Sequence, residues 1–381
     1  MSENQQKIFF ETRGIEFCLS NKSDKENLLI QVMSYFRLHG LENAIKLREA
    51  NQDSYLVIAF SLKEEYQSQW APDWDTTRLF ETLSLKGFKV KDDLNKEILV
   101  SMLLAPIPFQ FPSYEEFHSA IQIRHHSVIA GYLAALNFDT KATERPEDYW
   151  HYDEDAGFLL NPGQPIIDAL IKATQPESMA NAYSFSCYRA TEYVILLAIA
   201  RKLNKVNPKL LKRLEARSEK KAIRSGEFHE VFLKEYGSLE EPLPMKYYVP
   251  GDRVWFRNPD SRSSDISGYE GSWVIYLGHN LFTNFWKRDQ PFTLETKCVE
   301  VYHWKDGAYL DQSGELLMNE NIVESCVAKT LANPKEFQKI LQRMMRYRDP
   351  KGVYDQGGCI DTSRESSRLV CPGTSDIKIS D

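Results

Sequence analysis

The 381-residue chain has no apolar run approaching the ~20 residues needed to cross a bilayer. Its opening, MSENQQKIFF, is polar where a signal peptide would carry an apolar core. The expectation is a cytoplasmic protein without a membrane span. An excess of basic charge is also missing: 47 lysines and arginines against 54 acidic residues give a formal charge of -7. That leaves no electrostatic footprint for nucleic acid. Cysteines are few and scattered, at Cys18, Cys187, Cys298, Cys326, Cys359 and Cys371. They form no CxxC pair and no zinc spacing, so neither a disulfide framework nor a structural metal site is expected. The chain carries no internal repeat.

What is present is enough apolar material, 42% of residues, to build a substantial core over one or two domains. The first hundred residues mix a strand-like run, YLVIAF, with a helix-like one, NLLIQVMSYFRLHG, in which Gly40 is the expected C-cap. This predicts a small α+β module over residues 1–105. It ends at the proline-rich APIPFQFPSY, because proline interrupts both helix and ladder hydrogen bonding. Residues 106–348 form the expected main domain. Within it, YEEFHSAIQIRHHSVIAGYLAALN has helical periodicity, TKATERPEDYWHYDEDAGFLLNPGQP reads as a structured loop, and Pro165 opens a short helix, IIDALIKAT.

The charged span NPKLLKRLEARSEKKAIRSGEFHEVFLKEY is expected as a surface helix pair. After it the period changes to two. YYVPGDRVWFRNP, SWVIYLGHN, LFTNFW, KCVEVYHW and GAYLDQSGELL alternate between turn residues, as an antiparallel meander would. Residues 349–381, polar and aperiodic, are expected to be a disordered tail.

The stretch AYSFSCYRATEYVILLAIA places Cys187 at the head of an apolar helix that runs to about Lys205. Ala190, Thr191, Val194, Ile195 and Ala198 make the stripe that anchors it, and Ser184 or Ser186 can cap it. Free N–H groups and the dipole at a helix start favour a thiolate. Free cysteine is equally a common buried residue, so packing and chemistry are both open on this stretch alone. A cysteine-headed helix on an antiparallel sheet has the outline of the papain-like plan.

Several runs together resemble the bacterial spore-coat protein-glutamine γ-glutamyltransferases, cysteine transglutaminases of papain-like, NlpC-type fold. They are FHSAIQIRHHSVIAGYLAALN, DYWHYDEDAGFLL, YSFSCYRATEYVILLAIA, YVPGDRVWFRNP and GSWVIYLGHNLF, in the family's order. The resemblance implies an α+β fold and a nucleophile at Cys187. It further implies acyl transfer from a glutamine carboxamide of a protein, through a thioester, to a lysine amine or to water. It implies no metal and no organic cofactor. Three positions depart from the family pattern: Ser186 and Ser272 stand where the family has glutamates, and Phe285 where it has a histidine. A second alignment of the helix puts Arg189 at the nucleophile position.

Substitute partners for the thiol are Glu270, two residues before Ser272, and His279 in YLGHN, with His303 more remote. Each has a plain structural alternative: a turn carboxylate, a hairpin residue and a sheet-surface residue. His125 and His126 are adjacent, point to different helix faces and make no metal site. The acidic, aromatic DYWHYDEDAG loop suits either a cationic lysine side chain or ordinary solvated packing. Asp252 and Arg257 read as turn and strand-pair residues. The expectations are a transglutaminase-like acyltransferase, a cysteine amidase or deamidase on the same fold, or a silent relative that binds a protein partner.

Overall fold

The computed structural model describes residues 13–52, 55–139, 144–178, 181–222, 225–351 and 356–379. The fold class is α+β, as expected. Strands β1 (Ile15–Leu19), β2 (Ile45–Gln52), β3 (Tyr55–Leu62) and β4 (Phe109–Phe111) form a sheet of order β2-β3-β1-β4. Helix α1 (Lys25–Leu38) buries Leu28, Val32 and Phe36 at helical spacing, with Phe36 against Phe60 of β3. Gly40 ends it at φ +66°, and its N–H donates to the Arg37 carbonyl at 2.9 Å. Short helices α2 (Glu64–Trp70) and α3 (Leu79–Thr82) precede α4 (Lys91–Leu103).

The proline-rich stretch does not separate two independent units. It contains β4, which pairs parallel with β1 and so completes the amino-terminal sheet. The core of that sheet continues into the next helix, α5 (Tyr114–Leu133), where the rings of Phe17 and Phe117 lie 5.6 Å apart. The division expected at residue 105 therefore runs through a shared core.

Helix α5 is a wall with two apolar faces. Phe117, Ile121 and Val128 belong to the amino-terminal core, while Ile123, Ala130 and the C-cap residue Ala134 belong to a second core. That second core surrounds α7 (Cys187–Val206), with α6 (Ile166–Thr174), α8 (Pro208–Ser218) and α9 (Ser225–Phe232) packed about it. The expected stripe on α7 proves too narrow, because every residue from Ala190 to Ala200 is buried. Two short pairs flank it. β5 (Asn137–Phe138) runs parallel to β8 (Ser184–Phe185), and the acidic loop is a hairpin of β6 (Trp150–Asp153) and β7 (Gly157–Leu160).

The central sheet has six antiparallel strands in the order β13-β12-β11-β10-β16-β9. They are β9 (Leu233–Tyr236), β10 (Arg253–Arg257), β11 (Gly271–Gly278), β12 (Leu281–Phe282), β13 (Phe292–Thr293) and β16 (Arg364–Ser367). Between β13 and β16 come α10 (Leu294–Gly307), the hairpin β14 (Ala308–Leu310) and β15 (Leu316–Met318), then α11 (Glu320–Leu331) and α12 (Pro334–Met344). Helix α7 packs against β11, which sets the head of the helix beside the first residues of that strand. Among the described residues no helix is long and apolar enough to cross a membrane.

Two expectations are corrected. KCVEVYHW is not a strand but the body of α10. Its two-residue alternation is local, whereas Leu294, Cys298 and Val301 are buried at helical spacing. Thr293 and Thr296 close a capping box at its start.

The closing segment is likewise no disordered tail over its described residues. It supplies β16, inserted between β10 and β9, and buries Cys359, Ile360, Val370 and Ile377. Several of its polar groups meet partners far away in sequence. The carboxylate of Glu116 in α5 accepts the N–H groups of Val370 at 3.0 Å and Cys371 at 2.8 Å, and the Thr374 hydroxyl at 2.6 Å. A polar composition can be ordered when each group finds such a partner.

Candidate active site

Ser186, in extended conformation at ψ 156°, is the N-cap of α7, its hydroxyl accepting the Arg189 N–H at 3.3 Å. Cys187 is therefore the first helical residue, where backbone N–H groups lack intrahelical acceptors. Its side chain is half-buried and opens into a cavity of about 410 Å³. The thiol faces the Gly271 carbonyl at 4.0 Å. Gly271 cannot carry a side chain there, since a Cβ would stand 2.1 Å from Trp255 Nε1 and 2.6 Å from the Phe256 carbonyl oxygen.

Burial pushes the Cys187 thiol up. Against that act the backbone of Trp273, the ammonium of Lys297, the backbone of Tyr188 and the guanidinium of Arg253, in that order. Burial prevails, so the resting group is a thiol, set among contributions that favour its anion.

The cavity lies between β11 on one side and α10 and α11 on the other. Tyr269, Trp286, Phe292 and Trp304 give it aromatic walls, and Ser272, Lys297, Glu300, Glu320 and Glu324 give it polar ones. The three carboxylates are engaged. Glu300 accepts Lys297 Nζ at 2.6 Å, Glu320 accepts the Tyr269 hydroxyl at 2.7 Å, and Glu324 pairs with Lys287. Burial, then the Glu320 carboxylate, raise the Tyr269 phenol well above its ordinary value, so it serves as a donor.

Beneath the cysteine, Arg253 is buried in a sandwich 4.0 Å from the Trp273 ring and 4.3 Å from that of Tyr188. Its Nε donates to Thr191 Oγ1 and its Nη1 to Glu365 Oε2, both at 2.8 Å.

The residues singled out in the sequence separate here. Cys187 and Ser272 both line the cavity. Arg189, two residues along, instead pairs with the buried Glu192, so of the two aligned positions it is Cys187 whose side chain lines the cavity. Glu270 is not brought in. Strand β11 starts after it, and its exposed carboxylate accepts the Gly268 N–H at 3.0 Å in the preceding turn.

His279 is not brought in either. It occupies a hairpin turn at φ +56°, with Nδ1 2.8 Å from the buried carboxylate of Glu97 and its ring stacked on Phe80. His303, now on α10 rather than a sheet, contacts Asp306 Oδ2 through Nδ1 at 2.6 Å and Thr330 Oγ1 through Nε2 at 2.7 Å. Those two contacts occupy both ring nitrogens, although Cys326 lies close enough to make a three-residue cluster. His125 meets Asn95, and Asp252 meets Arg124 at 2.7 Å, as structural contacts.

The local sequence does not mark Lys297, Glu300 and Trp304 as cavity residues, because the two-residue alternation of KCVEVYHW is that of a strand while the segment is helix. A helical reading from Thr293 would have put residues 297, 300 and 304 on one face.

A family model described as protein-glutamine gamma-glutamyltransferase matches residues 80–377 of the chain. Among solved structures, the transglutaminase from Geobacillus stearothermophilus, without its C-terminal extension, is similar at 18% identity and a TM-score of 0.38. The likeness covers 56% of this chain and 98% of that one. Comparison with curated proteins gives no match.

Proposed function

The chain belongs to the protein-glutamine gamma-glutamyltransferase family, and from that premise we propose that it is a transglutaminase-like acyltransferase with Cys187 as its nucleophile. The observation that carries this reading is the position of Cys187, first residue of α7 and open to the cavity. The sulfur attacks the γ-carbonyl carbon of a protein glutamine, the C–N bond breaks, and ammonia leaves with the thiol proton. The thioester is then taken by a lysine amine, which forms an isopeptide bond and frees the thiol. Free N–H groups at the helix start are suited to the oxyanion of the tetrahedral intermediate. No metal or organic cofactor is needed for these steps.

The test is incorporation of a fluorescent primary alkylamine into a glutamine-bearing protein, with ammonia measured in parallel. The wild type should incorporate amine and release ammonia, and Cys187→Ala should do neither. Ammonia without incorporation would instead indicate a deamidase, with water as the acceptor.

A second reading has its own support. Ser186 and Ser272 occupy the positions where the resembling family carries glutamates, and the cavity's carboxylates are already paired. In that case the protein is a catalytically silent relative whose cavity binds a protein partner. Neither ammonia nor incorporation between pH 6 and 9 would favour it over the acyltransferase.

A further inference from the structure

We propose that Lys297 is the electrostatic partner of Cys187, a buried ammonium that stabilises the thiolate in place of the proton acceptors the family pattern would supply. The proposal rests on the reading of Cys187 as the reactive group and deepens it.

Lys297 is only 3% exposed. A buried ammonium is costly and must be paired. Its place near the amino-terminal end of α10 adds to the cost, because the helix dipole there disfavours a cation. The surroundings compensate: Nζ donates to Glu300 Oε2 at 2.6 Å and lies 4.2 Å from the centre of the Phe292 ring. A cation kept at this cost in the wall of a cavity that also holds a cysteine is suited to act on that cysteine.

The sign of its action is fixed by neighbouring groups. Of the two cations that favour the Cys187 anion, Lys297 is the stronger, and Arg253 is already bound to Glu365 beneath the site. Glu300 does not cancel Lys297 evenly. The carboxylate side chain is 24% exposed against 4% for the lysine, so water screens it more. Across the cavity the family glutamate is replaced by Ser272, which puts no negative charge beside the sulfur. On ionisation the S–H bond gives up its proton to solvent at the cavity mouth. Lys297 lowers the energy of the sulfur anion left behind.

The experiment is the pH dependence of Cys187 alkylation by iodoacetamide in the full chain, between pH 6 and 10, read by peptide mass spectrometry with the half-buried Cys18 and Cys326 as internal references. Lys297→Met should slow alkylation at pH 7.5 by about tenfold and move the rate midpoint to higher pH, one pH unit corresponding to a factor of ten. Lys297→Arg, which keeps the charge, should restore most of the rate. Glu300→Gln should speed alkylation at neutral pH and move the midpoint down. A folded Lys297→Met protein with the wild-type profile would overturn the proposal. If Lys297→Met does not fold, an unmoved midpoint in Glu300→Gln would overturn it instead.

Alkylation requires no acyl transfer, so the two readings fail separately. Lys297-dependent alkylation without amine incorporation removes the acyltransferase reading alone. Incorporation with a Lys297-independent thiol removes this one alone.

Discussion

Arg253 of β10 donates through Nη1 to Glu365 of β16 at 2.8 Å, joining the strand beneath the candidate nucleophile to the closing segment of the chain. Both side chains are buried, and Glu365 also meets His229 of α9 at 2.7 Å. One carboxylate thus ties together two strands and a helix. Breaking a buried pair from one side leaves an uncompensated charge, at a cost of about 3–5 kcal/mol. Glu365→Gln should therefore lose about that much stability in urea unfolding. Ending the chain at Gly358 removes β16 altogether and should give an insoluble or unfolded product.

The pH dependence of stability has a definite sign. Burial lowers the imidazole pKa of His39, His118, His125 and His126, the last to about 4. A depressed folded value gives stability that is complete above the unfolded value of ~6.5 and is lost as pH falls through the folded one. His229 has the opposite sign. Its hydrogen bond to Glu365 raises its pKa, so its contribution is complete below ~6.5 and fades as pH rises through the folded value. With four imidazoles against one, the melting temperature should fall steadily from pH 6.5 to pH 4, and His126→Gln should flatten part of that slope. A melting temperature constant across that range would contradict this account.

His279 should prove structural. His279→Asn keeps a residue tolerant of the positive φ but removes the ring that meets Glu97. The expected loss is about 2 kcal/mol, the order associated with an unsatisfied buried polar group. Cys187 alkylation should stay within twofold of the wild type. A large fall in alkylation with unchanged stability would return His279 to the list of bases.

Gly271 should tolerate no side chain. An added Cβ would force Trp255 and the strand backbone apart, and overpacking of this kind costs about 1–3 kcal/mol. Because its carbonyl faces the Cys187 thiol, Gly271→Ala should change both the denaturation midpoint and the alkylation rate of that one cysteine. A change confined to stability would mean that the strand relaxes away from the site.

The legible parts of the molecule are those whose signals are local. Helices α1, α5, α6 and α7 announce themselves through apolar period, Ser186 caps α7 where the sequence places it, and Gly40 follows directly on His39, the C-cap of α1. The expected β strands of SWVIYLGHN and RVWFR pair in the central sheet. The illegible parts are those where a local pattern competes with burial. VEVYHW alternates like a strand, yet the capping box at Thr293 and the buried row through Cys298 make it helix. The closing segment is polar, yet its polar groups meet Glu116 and Arg253, more than a hundred residues away in the chain.

By itself, then, the sequence determined the fold class, the family likeness and the position of one cysteine at the head of a buried helix, because propensity, capping and hydrophobic period act over a few neighbouring residues. Only the tertiary structure decided what surrounds that cysteine. It turned Glu270 and His279 to other partners and brought Lys297, Glu300 and Trp304 into the cavity wall. The physical reason is that a charge's effect depends on distance through space and on exclusion of water, and neither is written in the order of residues along the chain.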